Sequence, residues 1–368
     1  MTDYEAYLIA RGQLWKQELE AFDGSVVAEL LRSMRQIRRE VEAQIAELDL
    51  SSPADLLDKE RLERLEAWID SVTAAASSIT EGIAVEAGIS SALASATATV
   101  AMLNLDGAIS AFRDVGLTRE QVAVWYGETA ELVDGYTMGR LLGGMQMHAK
   151  QTILDSLRAS VTMGESVRKS VDRLLRDAME AGFGMTERGA VSIVRTAIQA
   201  GAVQAMDKVY RENRDLIAKW RWVAKLDNRT CPQCAANDGK IYEFSDELKL
   251  PAHIRCRCNA APVLKKYIDM GIPDRDVQRL SRNWIEREKG NIDMGGRKIL
   301  DVQQTDRWFG EWFPHLRPDL QDSILGPTRA NALRNGSISW SDLTDKDGKF
   351  RTLKELGLSR IDRRSGKQ

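Results

Sequence analysis

Every sulfhydryl of the chain lies in one stretch, "RTCPQCAANDGKIYEFSDELKLPAHIRCRC" (229–258), which holds Cys231, Cys234, Cys256 and Cys258 with His253 among them. Thiolate sulfur and imidazole nitrogen are the donors zinc prefers, arranged as a tetrahedron. A C-x2-C loop delivers a pair of them from one knuckle. The H-x2-C-x-C half offers His253, Cys256 and Cys258 for the remaining places, so one candidate is a spectator, His253 or Cys258. The thiols also read as a redox-labile or disulfide-bonded set, or as buried small hydrophobes. Neither alternative explains why they cluster. A structural zinc that clips separate segments together is the expected cofactor.

A catalytic metal is a poorer fit. The histidines are His148, His253 and His315 alone, too few for a His-rich hydrolytic site, and H-E-x-x-H is absent. There is no GxGxxG and no GxxxxGK[ST] to cradle phosphate. The glutamates of "EREK" (286–289) belong to a charged helical repeat that reads as solvated surface. The chain is expected not to be an enzyme, with no catalytic residue.

The elements around the cysteines must hold them. In "WRWVAKLD", Trp220, Trp222, Ala224 and Leu226 alternate with Arg221, Val223 and Lys225, as on a half-buried strand. "NDG" (237–239) is a tight-turn signal and "KIYEF" (240–244) reads as a returning strand. Cys231 and Cys234 therefore sit in the loop of a long hairpin, with Cys256 and Cys258 just after it. Such a hairpin is too small to be stable alone, which is where a metal staple has a use.

The rest of the sequence reads as helix. Leu30, Met34, Ile37, Val41, Ile45 and Leu48 recur at spacings of three and four, giving one apolar stripe. Leu30, Met34, Ile37 and Val41 are the candidate partner-binding face. Arg32, Arg35, Arg38 and Arg39 crowd the other side, which reads as solvated helix with a nucleic-acid contact as the alternative. "SSPADLL" (51–57) stops one helix and starts the next. Residues 87–105, "AGISSALASATATVAMLNL", are long enough to span a membrane. Their serines and threonines make a poor span, and a tightly packed helix of small residues is the reading preferred, with no stable membrane insertion. Thr162 and Glu165 form a capping box opening a helix through Val167, Val171, Leu174 and Ala178. "EAGFGMTERG" (180–189) breaks it before a helix through Val191, Val194, Ile198 and Val209. Near the C-terminus Trp308, Phe309, Trp312 and Phe313 cluster. "LGPTR" (325–329) ends one helix and begins another, and Thr352 with Glu355 makes a last capping box closed by Gly357.

Bulk properties set limits. Charged residues are 29% of the 368 and the formal net charge is −2, so no overall basic character announces nucleic acid. Four cysteines are too few for a disulfide scaffold of this length. The opening "MTDYEAYLIARGQLWKQ" has no positive segment followed by an apolar one, so a secretory signal is not expected.

"RTAIQAGAVQAM" (195–206), "WRWVAKLDNRTCPQCAANDGK" (220–240) and "LPAHIRCRCNAAP" (250–262), in that order, resemble the phage head morphogenesis family, the Mu protein F-like minor capsid proteins. The tail from "WFGEWFPHL" through "TLKELG" (308–357), with "LGPTR" at its centre, is similar to the segment that often follows that domain. The resemblance implies a low-copy virion component, in the head interior or at the portal vertex. It would be made in the host cytoplasm and act in procapsid assembly and genome delivery. Its implied partners are the portal protein, the major capsid or the scaffold protein, with packaged DNA as a further contact. A DNA-binding internal head protein and a toxin or nuclease carried in the head are the alternatives. The motif positions carried over are Arg195, Thr196, Asp227, Arg229, Thr230, Asp238, Gly239 and Arg257, beside the metal-ligand candidates. Asp227 is expected to cap or buttress the knuckle loop, and Gly239 to supply the positive φ of the turn. The expected architecture is mainly α with a small central α+β element, the cysteine-clipped β-hairpin. Residues 1–115 form a helical arm, 116–265 the head-morphogenesis domain and 266–368 a helical, aromatic C-terminal segment.

Overall fold

The computed structural model describes residues 2–47, 59–127, 130–133, 135–162, 184–225, 229–244, 250–265, 273–288, 308–346 and 348–358. The chain is mainly helical, as its periodicities require. Helices α1 (Asp3–Glu47) and α2 (Lys59–Leu103) come first. The short α3 (Arg119–Ala123) and a small ribbon of β1 (Glu131–Val133) and β2 (Tyr136–Thr137) follow. Next are α4 (Met138–Thr162) and α5 (Gly184–Glu212). The central sheet is β3 (Ile217–Val223), β4 (Ile241–Glu243) and β5 (Asn259–Leu264), with α6 (Pro232–Asn237) between β3 and β4. Then come α7 (Asp274–Glu288), α8 (Phe309–Trp312), α9 (Pro318–Leu325) and α10 (Pro327–Arg334). Thr162 closes α4; the helix expected to open there lies outside the described residues.

Small residues set the central helix packing. On α2, Ala84, Ala87, Ser91, Ala92 and Ser95 are buried, and α2 lies against α5. The approach is close enough that a Cβ on Gly201 would stand 2.3 Å from the Gly88 carbonyl oxygen. Buried hydroxyls find partners across or along the helices: Ser91 donates to Ile198 O at 2.8 Å, and Thr80 to Ala76 O at 2.7 Å. Tyr126 closes the gap by donating to Ala197 O at 2.9 Å. Residues 87–103 thus pack as a helix of small residues. By length and composition alone Ile69–Leu103 could cross a membrane, and half of its most apolar window is buried inside this fold.

The apolar stripe of α1 turns inward. Leu30, Met34 and Ile37 are buried in the core shared with α2; the side chain of Val41 lies outside those described. The chain itself covers these three residues of the stripe read as a partner-binding face. One core runs from Tyr4 and Leu30 through Val194 and Trp220 to Trp284, and α1 also contacts α5, β5 and α7. Tyr7 meets Trp284 edge-on at 4.9 Å.

The sheet differs from the expected hairpin by one strand. Its order is β4-β3-β5, antiparallel throughout. Trp220 faces Tyr242 on one side and Pro262 on the other. The period-2 pattern of β3 was readable, but "NAAPVL" carries no such alternation, so β5 was missed. Trp220 stacks on Tyr242 at 4.5 Å. A second cluster contains Phe309, Phe313, Ile324, Leu325, Ala330 and Leu343 and is built against Ala235 and Ala236 of α6. The helix break at "LGPTR" falls at Gly326, φ +79°, between α9 and α10.

Candidate metal centre

Cys231 ends the loop from β3 and caps α6, accepting the Cys234 N–H at 3.3 Å, with Pro232 next in the first turn. One turn of helix then carries Cys234 inward, where it is buried. The C-x2-C pair therefore rides on a helix start rather than on an open hairpin loop. The second half returns through a turn closed by Cys256 N–H to His253 O at 3.0 Å. Arg255 in that turn has φ +63°, and its N–H is held by Thr196 Oγ1 at 3.1 Å. Strand β5 then begins immediately after the buried Cys258.

These turns gather all five candidates. Ligand atoms of Cys231, Cys234 and His253 form one group, and those of Cys234, Cys256 and Cys258 a second, each within 4.8 Å. Cys234 belongs to both. His253 Nε2 lies 3.0 Å from Cys231 Sγ and 3.2 Å from Cys234 Sγ. Cys234 and Cys256 sulfurs are 3.8 Å apart, close to the edge of about 3.8 Å that a tetrahedron with Zn–S of ~2.3 Å would have. All four cysteines are free thiols. His253 Nδ1 faces Ile254 O at 2.8 Å. A proton there leaves Nε2 directed at the sulfurs, the usual second contact of a metal-bound imidazole. His253 stands on the solvent side of the group and Cys258 on the core side. The two groups share Cys234, with His253 beside Cys231 in one and Cys258 beside Cys256 in the other.

Proton affinities describe the same crowding. Hydrogen bonding from Cys234, and then the His253 ring, draws the Cys231 thiol down to about 5. Contacts with Cys234 and Cys258 hold Cys256 well below the usual thiol range. Cys234 is pushed up, chiefly by its contact with Cys231, and Cys258 is pushed up by burial. The Cys231 and Cys256 sulfurs raise the imidazole to about 11. Sulfur and imidazole donors held this close and this buried are the donor chemistry of a soft divalent cation. The residues fit zinc.

The other motif positions support the site. Arg195 pairs with Asp23 of α1 at 3.0 Å. Thr196 is fully buried and donates to Ser192 O at 2.7 Å while holding the Arg255 turn. Thr230 bonds Lys225 O, Arg229 is exposed and Arg257 half-buried. Gly239 has φ +81°, and a Cβ there would stand 2.6 Å from the Trp308 ring. Asp227, assigned the buttress, lies outside the described residues.

Asp238 buttresses the knuckle from the other end. It is buried, accepts Ala224 N–H at 2.6 Å, and accepts Phe309 N–H at 2.7 Å. Burial raises its carboxyl to about 7 against the pull of those N–H groups. Sequence reasoning missed Asn237, which takes the Tyr242 hydroxyl at 2.7 Å and donates to Gly348 O at 2.7 Å. It also missed Gln199, whose amide donates to Cys258 O at 2.8 Å, and Lys16, which bonds that amide's oxygen. No local pattern marks either: both contacts join residues far apart in sequence. Helix α6 is thus shared, with Cys234 in the main core and its alanines in the C-terminal cluster.

Residues 151–261 match the model of the family described as Phage Mu protein F like protein. The matched segment contains α5, the sheet through Ala261 and the whole cysteine–histidine group, and it supports the likeness to phage head morphogenesis proteins. Searches of the curated proteins and of the solved structures find no match.

Proposed function

We propose that this chain, which carries the segment of a phage head morphogenesis protein, is a low-copy minor head protein stapled by one structural zinc. It would work at the portal vertex or the head interior, in procapsid assembly and genome delivery. The observation that carries the reading is the coincidence of the matched segment with the buried thiol–imidazole group. Zinc would be held by Cys231, Cys234 and Cys256, with His253 or Cys258 completing the set. Its role would be to join α6, the return turn and β5 beside a sheet of three short strands. The portal, scaffold or major capsid protein is the proposed partner. Exposed Arg32, Arg35 and Arg39 on α1 favour packaged DNA as a further contact.

Particles made without this protein should assemble but infect poorly, and purified wild-type heads should contain it in low copy. Its absence from purified heads would refute the reading. The DNA contact is tested by binding of the purified chain at increasing salt. Affinity that falls with salt and is lost on changing the arginines to glutamine supports it; salt-independent or absent binding removes it.

A further inference from the structure

We propose that Lys16, on the N-terminal helix, is the cation that offsets the charge of the zinc–thiolate centre from its core side, which makes α1 part of the metal site. The inference rests on the zinc reading above. Zinc carries a net charge of about −1 with three thiolates and about −2 with four. Cys234, Cys256 and Cys258 are all buried, where an unbalanced charge is costly.

Lys16 is placed to answer it. Its side chain is half-buried, with the ammonium bonded to the side-chain oxygen of Gln199. The nitrogen of that amide donates to the Cys258 carbonyl at 2.8 Å, so one buried glutamine links the lysine to the backbone of a ligand candidate. The acidic neighbours on α1 are already engaged: Glu20 pairs with Lys225 at 2.6 Å and Asp23 with Arg195 at 3.0 Å. The Cys256 and Cys258 sulfurs act on the ammonium together with Glu20 and Asp23. Helix α1 is held at this point because Gly12, one turn earlier, packs on β5. A Cβ there would lie 3.2 Å from the Asn259 amide nitrogen, which contacts Gly12 O at 3.4 Å. Burial lowers the lysine to about 8, the cost of keeping an ammonium there.

The test compares the full chain with K16M, K16Q and K16R. Zinc affinity is measured by competition with a chromophoric chelator, and the ligand set is followed through the absorption of the cobalt(II) form. K16M should bind zinc roughly 10- to 100-fold more weakly, the range for loss of a supporting contact, and K16R should stay near wild type. The cobalt–thiolate band should persist in all of them, since no ligand is removed. K16Q, polar and helix-compatible, carries the same expectation should K16M fold poorly. Wild-type affinity in folded K16M or K16Q, or a K16R as weak as they are, would overturn the charge role. Failure of the wild-type chain itself to take up zinc is a different result and overturns the staple reading instead.

Discussion

The α2–α5 contact and the cysteine knuckle are both buried, yet they are held together by opposite means. Between the helices, Gly88 and Gly201 let backbones touch, and the buried hydroxyls of Ser91 and Thr80 each find a carbonyl. That contact is made by the chain alone. At the knuckle, five donors converge with mutually opposed proton affinities, and the sheet beside them is only three short strands. Its donors are those a soft cation would bind. A small-residue helix pair is stabilised by what has been left out of the sequence, whereas the knuckle, on the zinc reading proposed above, would be stabilised by something the sequence can only prepare for.

The largest way to break this contrast is Cys234→Ser, because Cys234 alone belongs to both donor groups. It should abolish stoichiometric zinc and unfold β3 to β5, forfeiting much of a binding free energy of about 10–16 kcal/mol. The α1, α2 and α5 helices should persist in far-UV circular dichroism. Next, Met34→Ala should destabilise the helical core by about 2–5 kcal/mol in denaturant titration, with zinc content unchanged, since Met34 is fully buried against its own chain. An undiminished stability would restore the stripe to a partner-binding role.

Gly201→Ala should cost about 3 kcal/mol, because the new methyl meets a backbone oxygen that cannot rotate away. The smallest effect sharpens the joint between the two cores. Asp238→Asn turns an amide nitrogen, which has no lone pair to offer, toward a backbone N–H, at a cost of about 1 kcal/mol. Its pH dependence carries a sign. Burial lifts this carboxyl from 3.8 to about 7, so the folded chain binds the proton more tightly than the unfolded one. Its contribution is full below about pH 3.8 and is lost as pH rises toward about 7. The advantage of wild type over Asp238→Asn should therefore shrink across that window and turn into a disadvantage at its upper end.

Much of this was legible in the residues. The 3.6-residue spacing of Leu30, Met34 and Ile37 marks a buried face, but periodicity says only that a face is covered, not by what. Here α2 shares the core that covers it. Cysteine spacing brought the ligand candidates together on the page before the fold did, because zinc chemistry constrains residue type and local separation at once. Strand β5 was illegible: "NAAPVL" does not alternate, and its pairing with β3 depends on contacts made across the sheet. Lys16 and Gln199 were equally hidden, since their link to Cys258 crosses most of the chain length. Asp238 was visible as a turn residue, but not as the acceptor that joins Ala224 to Phe309.

The central claim is that the knuckle is a metal staple. Elemental analysis of the full chain, purified without chelator under reducing conditions, addresses it most directly. The account predicts about one zinc per chain, released in step with loss of structure in β3 to β5 when a chelator is added. Metal-free protein with that region fully folded, or a Cys231–Cys234 disulfide in its place, would contradict it.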